Sequence, residues 1–211
     1  MRGRGSAGEV YDQIAESFDA TRCKPWPETV EFLDSLPKSS LVLDVGCGNG
    51  RNAVYAEELG HKVVAFDVSP AMIGTAMRKT KKDSYALADA RQTPFRDDSF
   101  DAVLAVAVVH HIEAAEGRLD ALREVGRVLK SSGKALIGVW AREQERLGGK
   151  QDANGDVWVD WKKPSGEVVK RFYHLYMDKE FREAIASAGL GTERYFFRCD
   201  NHYVIATKLY K

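Results

Sequence analysis

The stretch Leu41–Asn52, "LVLDVGCGNGRN", decides how the chain is read. Leu41 to Val45 is a short apolar run interrupted only by Asp44, the length of a buried strand. Gly46, Gly48 and Gly50 follow at every second position, before a helical stretch over 52–59. Glycines let the backbone turn sharply and approach a ligand without side-chain collision, and the helix that follows presents oriented N–H groups. Glycine turns also occur in dinucleotide folds, so the turn alone leaves the ligand open. The spacing here is D-x-G-x-G-x-G and not G-x-G-x-x-G. It sets a carboxylate beside the turn, which a cationic sulfonium ligand with an ammonium group tolerates far better than a pyrophosphate does.

Outward from this turn the chain keeps one rhythm. "KVVAFDVS" closes on Asp67, where an acid can accept both ribose hydroxyls, and "YALADA" carries Asp89, placed to meet an adenine edge. Either acid alone fits an ordinary strand-end cap; with the glycine turn they point together to a cofactor site. A helix over 70–79 separates the two runs. "FDAVLAVAVV", a covering helix "LDALREVGRVLK" and "KALIGVW" continue the alternation, which predicts a mostly parallel sheet with helices on both faces.

The ends differ. Val10, Ile14 and Phe18 recur at helical spacing, and a second helix is expected from Pro27, so residues 1–40 read as a helical cap on the 41–140 core. Residues 141–170 are polar and glycine-rich, and read as an insertion or lid. Residues 171–211 hold the run "RFYHLYMDKE", a helix over 179–188 and two strands, "TERYFFRC" and "HYVIATKLY". Asp200 and Asn201 as turn residues would make these a terminal antiparallel hairpin.

With 211 residues, 44% of them hydrophobic, the chain has material for one domain with a sizeable core. Lysine plus arginine and aspartate plus glutamate both number 31, so no basic total advertises nucleic acid, although a local patch remains open. Cys23, Cys47 and Cys199 have no metal-ligand spacing and no disulfide pattern. No apolar run nears the roughly 20 residues that span a bilayer. These features fit a cytoplasmic protein without a metal of its own, starting with a frayed, weakly basic segment, "MRGRGSAG".

Over 41–140 these motifs resemble the class I S-adenosylmethionine-dependent methyltransferases. The resemblance implies a Rossmann-like α/β fold with a seven-stranded, mostly parallel sheet, helices on both faces and an antiparallel C-terminal hairpin. It also implies S-adenosylmethionine as cofactor, held by Asp44, Gly46, Cys47, Gly48, Gly50, Asp67, Val68, Asp89, Ala90 and Val106. Four further stretches, "RCKPWP", "AVAVVHHI", "VWAREQE" and "RFYHLY", are similar to the tRNA wobble-uridine methyltransferases that esterify 5-carboxymethyluridine, including the domain fused to an AlkB-type hydroxylase. That likeness runs from Val10 to about Lys208. It implies a tRNA anticodon stem-loop as substrate. It implies a heterodimer with a small zinc-ribbon activator protein docking near the third strand, Ser84 to Asp89, with Met72, Ile73 and Met77 as apolar contacts.

The residues argue the same way. A carboxylate is already an ionised nucleophile at neutral pH, so its methylation needs alignment and desolvation, not a general base. Donors for the carboxylate and aromatic faces for an extruded base are expected from Arg22, His110, Trp140, Arg142, Arg171, Tyr173 and His174, with Lys24, Trp26 and His111 beside them. Of the adjacent histidines, His110 is expected to face substrate and His111 to turn away. Phe172 and Leu175 are expected to pack. Arg2, Arg4, Lys24, Arg51, Lys150, Lys162, Lys163 and Lys170 are candidates for a basic rim. A methyltransferase for a small carboxylic acid and a non-catalytic cofactor-binding subunit are the rival readings; a nicotinamide oxidoreductase is disfavoured by the glycine spacing.

Overall fold

A computed structural model describes residues 6–80, 84–144, 147 and 149–209. The N-terminal cap is α1 (Ala7–Thr21) and α2 (Pro27–Asp34). Ser6 and Glu9 close a reciprocal capping box on α1, and Pro27 opens α2 at a position where its missing N–H costs nothing. The expected frayed start falls on residues 1–5, and with it Arg2 and Arg4; these lie outside the described residues.

The alternating region runs β1 (Leu41–Val45), α3 (Arg51–Glu58), β2 (Lys62–Asp67), α4 (Pro70–Met77), β3 (Tyr85–Leu87) and β4 (Phe100–Val106). After one 3-10 turn (Val109–His111) come α5 (Ala115–Val128) and β5 (Leu129–Trp140). β6 (Asp156–Lys162), β7 (Val168–His174), α6 (Asp178–Ser187), β8 (Leu190–Arg198) and β9 (Asn201–Lys208) complete the described chain. Seven strands form one sheet in the order β3-β2-β1-β4-β5-β9-β8, parallel through β5 and antiparallel in the last two. The strand order reverses between β1 and β4, where an open parallel sheet leaves a crevice at its C-terminal edge.

Strand alternation builds a core on each face. Leu43, Val45, Val103 and Ala105 pack beneath α5 and α6 with Leu122, Val125, Phe181 and Ile185. Val42, Val63, Leu104 and Leu136 pack on the other face against Phe32, Leu33, Ala53 and Ala56. Met72 is fully buried under α1 with Val10 and Ile14, and Ile73 packs against this second core, so of the three expected surface contacts on α4 only Met77 is exposed.

Two local features depart from the sequence reading. The region 141–170 is not without regular structure: β6 pairs antiparallel with β7, Asp156 opposite His174 through Lys162 opposite Val168, as a separate two-stranded ribbon. Its strand signal is weak because the ribbon buries only alternate side chains, such as Val157 and Val169. The terminal hairpin turns one residue earlier than expected, on Cys199 and Asp200, whose φ angles of 47° and 63° suit a two-residue primed turn. Asn201 is therefore a strand residue, paired with Arg198 on one side and Trp140 on the other. Among the described residues, no helix is long and apolar enough to cross a membrane.

Candidate active site

At the C-terminal ends of β1, β2 and β4, a cavity of about 380 Å³ is roofed by α1. Gly46, Cys47 and Gly48 line it, as do Asp67, Val68, Asp89, Ala90 and Val106. The glycine turn is required by its geometry: Gly46 has φ 59°, and a Cβ there would meet Val108 at 2.7 Å. Asp67 receives the Gly48 N–H on Oδ2 at 2.8 Å and the Ser69 N–H on Oδ1 at 2.9 Å. Burial raises its pKa and these donors oppose the rise. Asp89 is held below the usual carboxylate range by Arg91, with which it pairs at 2.5 Å.

Two expected cofactor residues do not line the cavity. Gly50 caps α3 with φ 77° and packs on α4, where a Cβ would meet Ala76 at 2.8 Å. Asp44 lies in the interior of β1, with an Oδ2 that has no hydrogen-bond partner among the described residues. Burial pushes its pKa up to about 7.

A second cleft of about 650 Å³ adjoins the first; Tyr11, Phe18, Arg51, Ala107 and His111 line both. Ala107, at the junction, has φ 59°, a strained conformation for a residue with a side chain. Five of the seven expected substrate residues meet on this second cleft: Arg22, His110, Trp140, Arg171 and Tyr173. Lys24 and Trp26 line it too.

Arg171 is the distinctive group. It is only 8% exposed, its guanidinium lies 4.8 Å from the Trp161 ring centroid and 5.2 Å from that of Tyr173, and among the described residues it forms no ion pair with a carboxylate. Among the described residues its Nε has no hydrogen-bond partner. Arg22 faces the same indole at 5.5 Å, so Trp161 carries two cations. His110 is fully buried; its Nδ1 accepts the Trp140 N–H at 3.0 Å, which leaves the ring proton on Nε2, an atom without a partner. Burial, followed by the neighbouring His111, Arg171 and His174, holds His110 neutral. His111 also faces the cleft instead of turning away. Its Nδ1 donates to the Phe172 carbonyl at 2.9 Å and its Nε2 accepts from the Tyr11 hydroxyl at 2.8 Å, and burial lowers its pKa to about 4.

Arg142 and His174 are not on the cleft. Arg142 reaches the carbonyls of Asp152 and Ala153 in the loop before β6. His174 follows Tyr173 in an extended strand, so the two side chains take opposite faces. Its Nδ1 and Nε2 each lie 2.7 Å from a carboxylate, of Asp156 and Glu180 respectively. Of the candidate basic rim, Lys24 and Arg51 reach the cleft, while Lys163 pairs with Glu167 on the ribbon.

Sequence reasoning missed Tyr11, Trp161, Asn49 and Asn201. Tyr11 and Phe18 lie two turns apart on one face of α1, a spacing that could have marked that face. Asn49 has a lone signal inside the glycine turn; its Nδ2 donates to Asp19 at 2.7 Å and to the Arg22 carbonyl at 2.8 Å, tying the turn to the end of α1.

A family profile described as a methyltransferase domain matches residues 43–137. The tRNA (carboxymethyluridine(34)-5-O)-methyltransferase of Schizosaccharomyces pombe is 33% identical over 221 residues, covering 95% of this chain and 95% of its own length. This chain belongs to the tRNA (carboxymethyluridine(34)-5-O)-methyltransferase family. The Xenopus tropicalis member is 44% identical over 65% of this chain, which spans about a fifth (21%) of that longer protein. A solved methyltransferase of Haloferax volcanii, in complex with the Trm112 methyltransferase activator, shares the fold at TM-score 0.74 and 18% identity, over 98% of this chain and 99% of that one. The cofactor of this methyltransferase is S-adenosylmethionine, and the residues present fit it. The cavity wall carries the buried Asp67 carboxylate, and the Gly48 turn is open on the cavity side, where among the described residues only Phe18, at 3.8 Å, comes near an added Cβ.

Proposed function

We propose that this chain forms the methyl ester of 5-carboxymethyluridine at the wobble position of tRNA, with Arg171 and His110 holding the substrate carboxylate. The observation that carries this reading is the buried Arg171 guanidinium, which has no ion pair with a carboxylate among the described residues, on the wall of a cleft that adjoins the cofactor cavity. A desolvated guanidinium is best satisfied by an anion that enters with the substrate. Neutral His110 adds an N–H donor without a second positive charge.

S-adenosylmethionine supplies an electrophilic methyl group on sulfur. The carboxylate oxygen provides the electron pair of the new O–CH3 bond, while the pair of the broken S–CH3 bond stays on sulfur. No proton moves, which fits a cleft whose two histidines are both held neutral. Catalysis then consists of positioning and exclusion of water. Arg22, held over the Trp161 indole, and Trp26 supply cation and aromatic surface on the cleft wall for an extruded nucleotide, and Lys24 and Arg51 on the same cleft are cations suited to its phosphates.

The partner reading rests on the sheet edge. β3 is a three-residue outer strand, and Leu87 on it (61% exposed) and Met77 on α4 are exposed apolar side chains. A strand-adding activator of the zinc-ribbon kind suits such an edge and completes a cytoplasmic heterodimer. The test is methyl transfer to matched anticodon stem-loops carrying uridine or 5-carboxymethyluridine at the wobble position, with the activator present. Transfer only to the second is expected; equal transfer to both, or to neither, contradicts the proposal.

A further inference from the structure

Side chains that line the cleft carry buried polar atoms of both kinds with no hydrogen-bond partner among the described residues. Two are donors, Arg171 Nε and the protonated His110 Nε2, and they match the substrate carboxylate as argued above. The acceptors are Glu28 Oε1, which lies 3.2 Å from Arg198 Nε, and Asn201 Oδ1, which has no such cation. Asn201 lines the cleft, is 7% exposed, and begins β9 directly opposite Trp140. Its orientation is fixed: Nδ2 donates to the Cys199 carbonyl at 2.5 Å, so the other terminal atom is the oxygen. The early turn on Cys199 and Asp200 puts it there, because a turn one residue later would take Asn201 out of the strand.

A buried carbonyl oxygen without a donor costs stability, and such atoms in a binding cleft are satisfied by the ligand. The substrate carboxylate cannot do this, since it only accepts. Among the groups of the uracil ring, O2 and O4 also only accept, and N3–H is the one donor. Building on the function proposed above, we infer that Asn201 Oδ1 accepts the N3–H of the extruded wobble uracil and is the residue that selects this base. Cytosine presents a bare acceptor at N3 and would oppose Asn201 oxygen to nitrogen lone pair. Selection then divides between two ends of one nucleotide: Arg171 and His110 read the carboxymethyl group, and Asn201 reads the ring.

The test uses the full chain with the zinc-ribbon activator and two synthetic anticodon stem-loops. One carries 5-carboxymethyluridine; the other carries its N3-methyl analogue, which lacks the N3–H donor and keeps both ring carbonyls. For the wild type, kcat/KM on the analogue should fall at least about tenfold, the scale of one lost hydrogen bond that leaves a buried acceptor unpaired. Asn201→Ala should lose most of that discrimination, treating both stem-loops nearly alike, with cofactor affinity kept. Equal wild-type rates on the two stem-loops overturn the inference while leaving the proposed reaction intact, and this outcome needs no variant to fold. Discrimination that persists undiminished in folded Asn201→Ala also overturns it. A stem-loop with a 2′-deoxy wobble nucleotide separates the other donor: if Asn201→Ala erases sensitivity to the 2′-hydroxyl and not to N3–H, Asn201 reads the sugar and the inference fails. No transfer to the parent stem-loop overturns the function and the inference together.

Discussion

The Trp140 indole and the Tyr173 phenol ring stack face to face, with centroids 4.0 Å apart and planes 17° from parallel. One ring ends β5 of the main sheet and the other sits in the β6–β7 ribbon, so this stack is one of the contacts that join the part that carries the cofactor cavity to the part that carries Arg171. Tyr173→Ala should therefore lower stability by about 3 kcal/mol, the usual scale for a deleted buried aromatic ring, and reduce transfer. Tyr173→Phe should keep stability within roughly 1 kcal/mol. Urea unfolding of the two variants checks this; an Ala variant as stable as wild type contradicts the packing role.

Arg171→Ala should reduce kcat/KM on carboxymethyl substrate by roughly a hundredfold or more, as expected when a desolvated charge partner is lost. The S-adenosylmethionine dissociation constant should stay within about twofold, because Arg171 lies on the second cleft. Arg171→Lys should recover little, since an ammonium cannot reproduce the planar, ring-stacked guanidinium. Near-normal turnover in both variants places the carboxylate elsewhere.

Asp44, in the interior of β1, gives stability a pH dependence. Burial raises its folded pKa to about 7, so between the ordinary carboxylate value and about 7 the folded protein holds a proton that the unfolded chain has released. Its stabilising contribution is complete below the unfolded pKa and disappears as the pH rises through 7. The unfolding free energy should therefore fall between about pH 5.5 and 7.5, by at most about 1.4 kcal/mol per pH unit. Urea unfolding across this range, with Asp44→Asn as the flat control, is the check. A wild-type stability that falls no more than that of Asp44→Asn rules out the charge argument.

His174 joins the ribbon to the start of α6 through Asp156 and Glu180. His174→Ala should cost about 1–3 kcal/mol in unfolding free energy, through a lost pair of charge-assisted hydrogen bonds. At temperatures where it is fully folded it should bind substrate as wild type does. A raised KM at unchanged stability would return His174 to the substrate side.

Leu87→Asp on the exposed edge strand should abolish capture of a zinc-ribbon activator without altering the cofactor dissociation constant of the isolated chain. Co-purification of the coexpressed pair measures this, and undiminished capture would move the interface away from β3.

The cofactor half of the site was legible because its determinants are local. A glycine turn, the acid that closes β2 and the acid after β3 occupy fixed places relative to strand ends, and strand ends show in hydropathy. Gly50 and Asp44 were the exceptions, since the contact of Gly50 with Ala76 depends on how α3 meets α4 and Asp44 is covered inside β1. The substrate half was legible in residue type and only partly in direction. Arg171 and Tyr173 share a strand face, and His174 could not join them once the segment was extended; the polar insertion hid that strand. Nothing near Asn201 in sequence announces a buried acceptor, because its place depends on a one-residue shift in the hairpin turn and on Trp140 from another strand.

The most direct measurement is the mass of the wobble nucleoside after incubation of 5-carboxymethyluridine-bearing tRNA with this chain, its activator and methyl-labelled S-adenosylmethionine. One added labelled methyl on that nucleoside, released by mild alkali as an ester would be, is the expected result. Label on a ring or ribose position, stable to alkali, or no label while cofactor binding is normal, would contradict it.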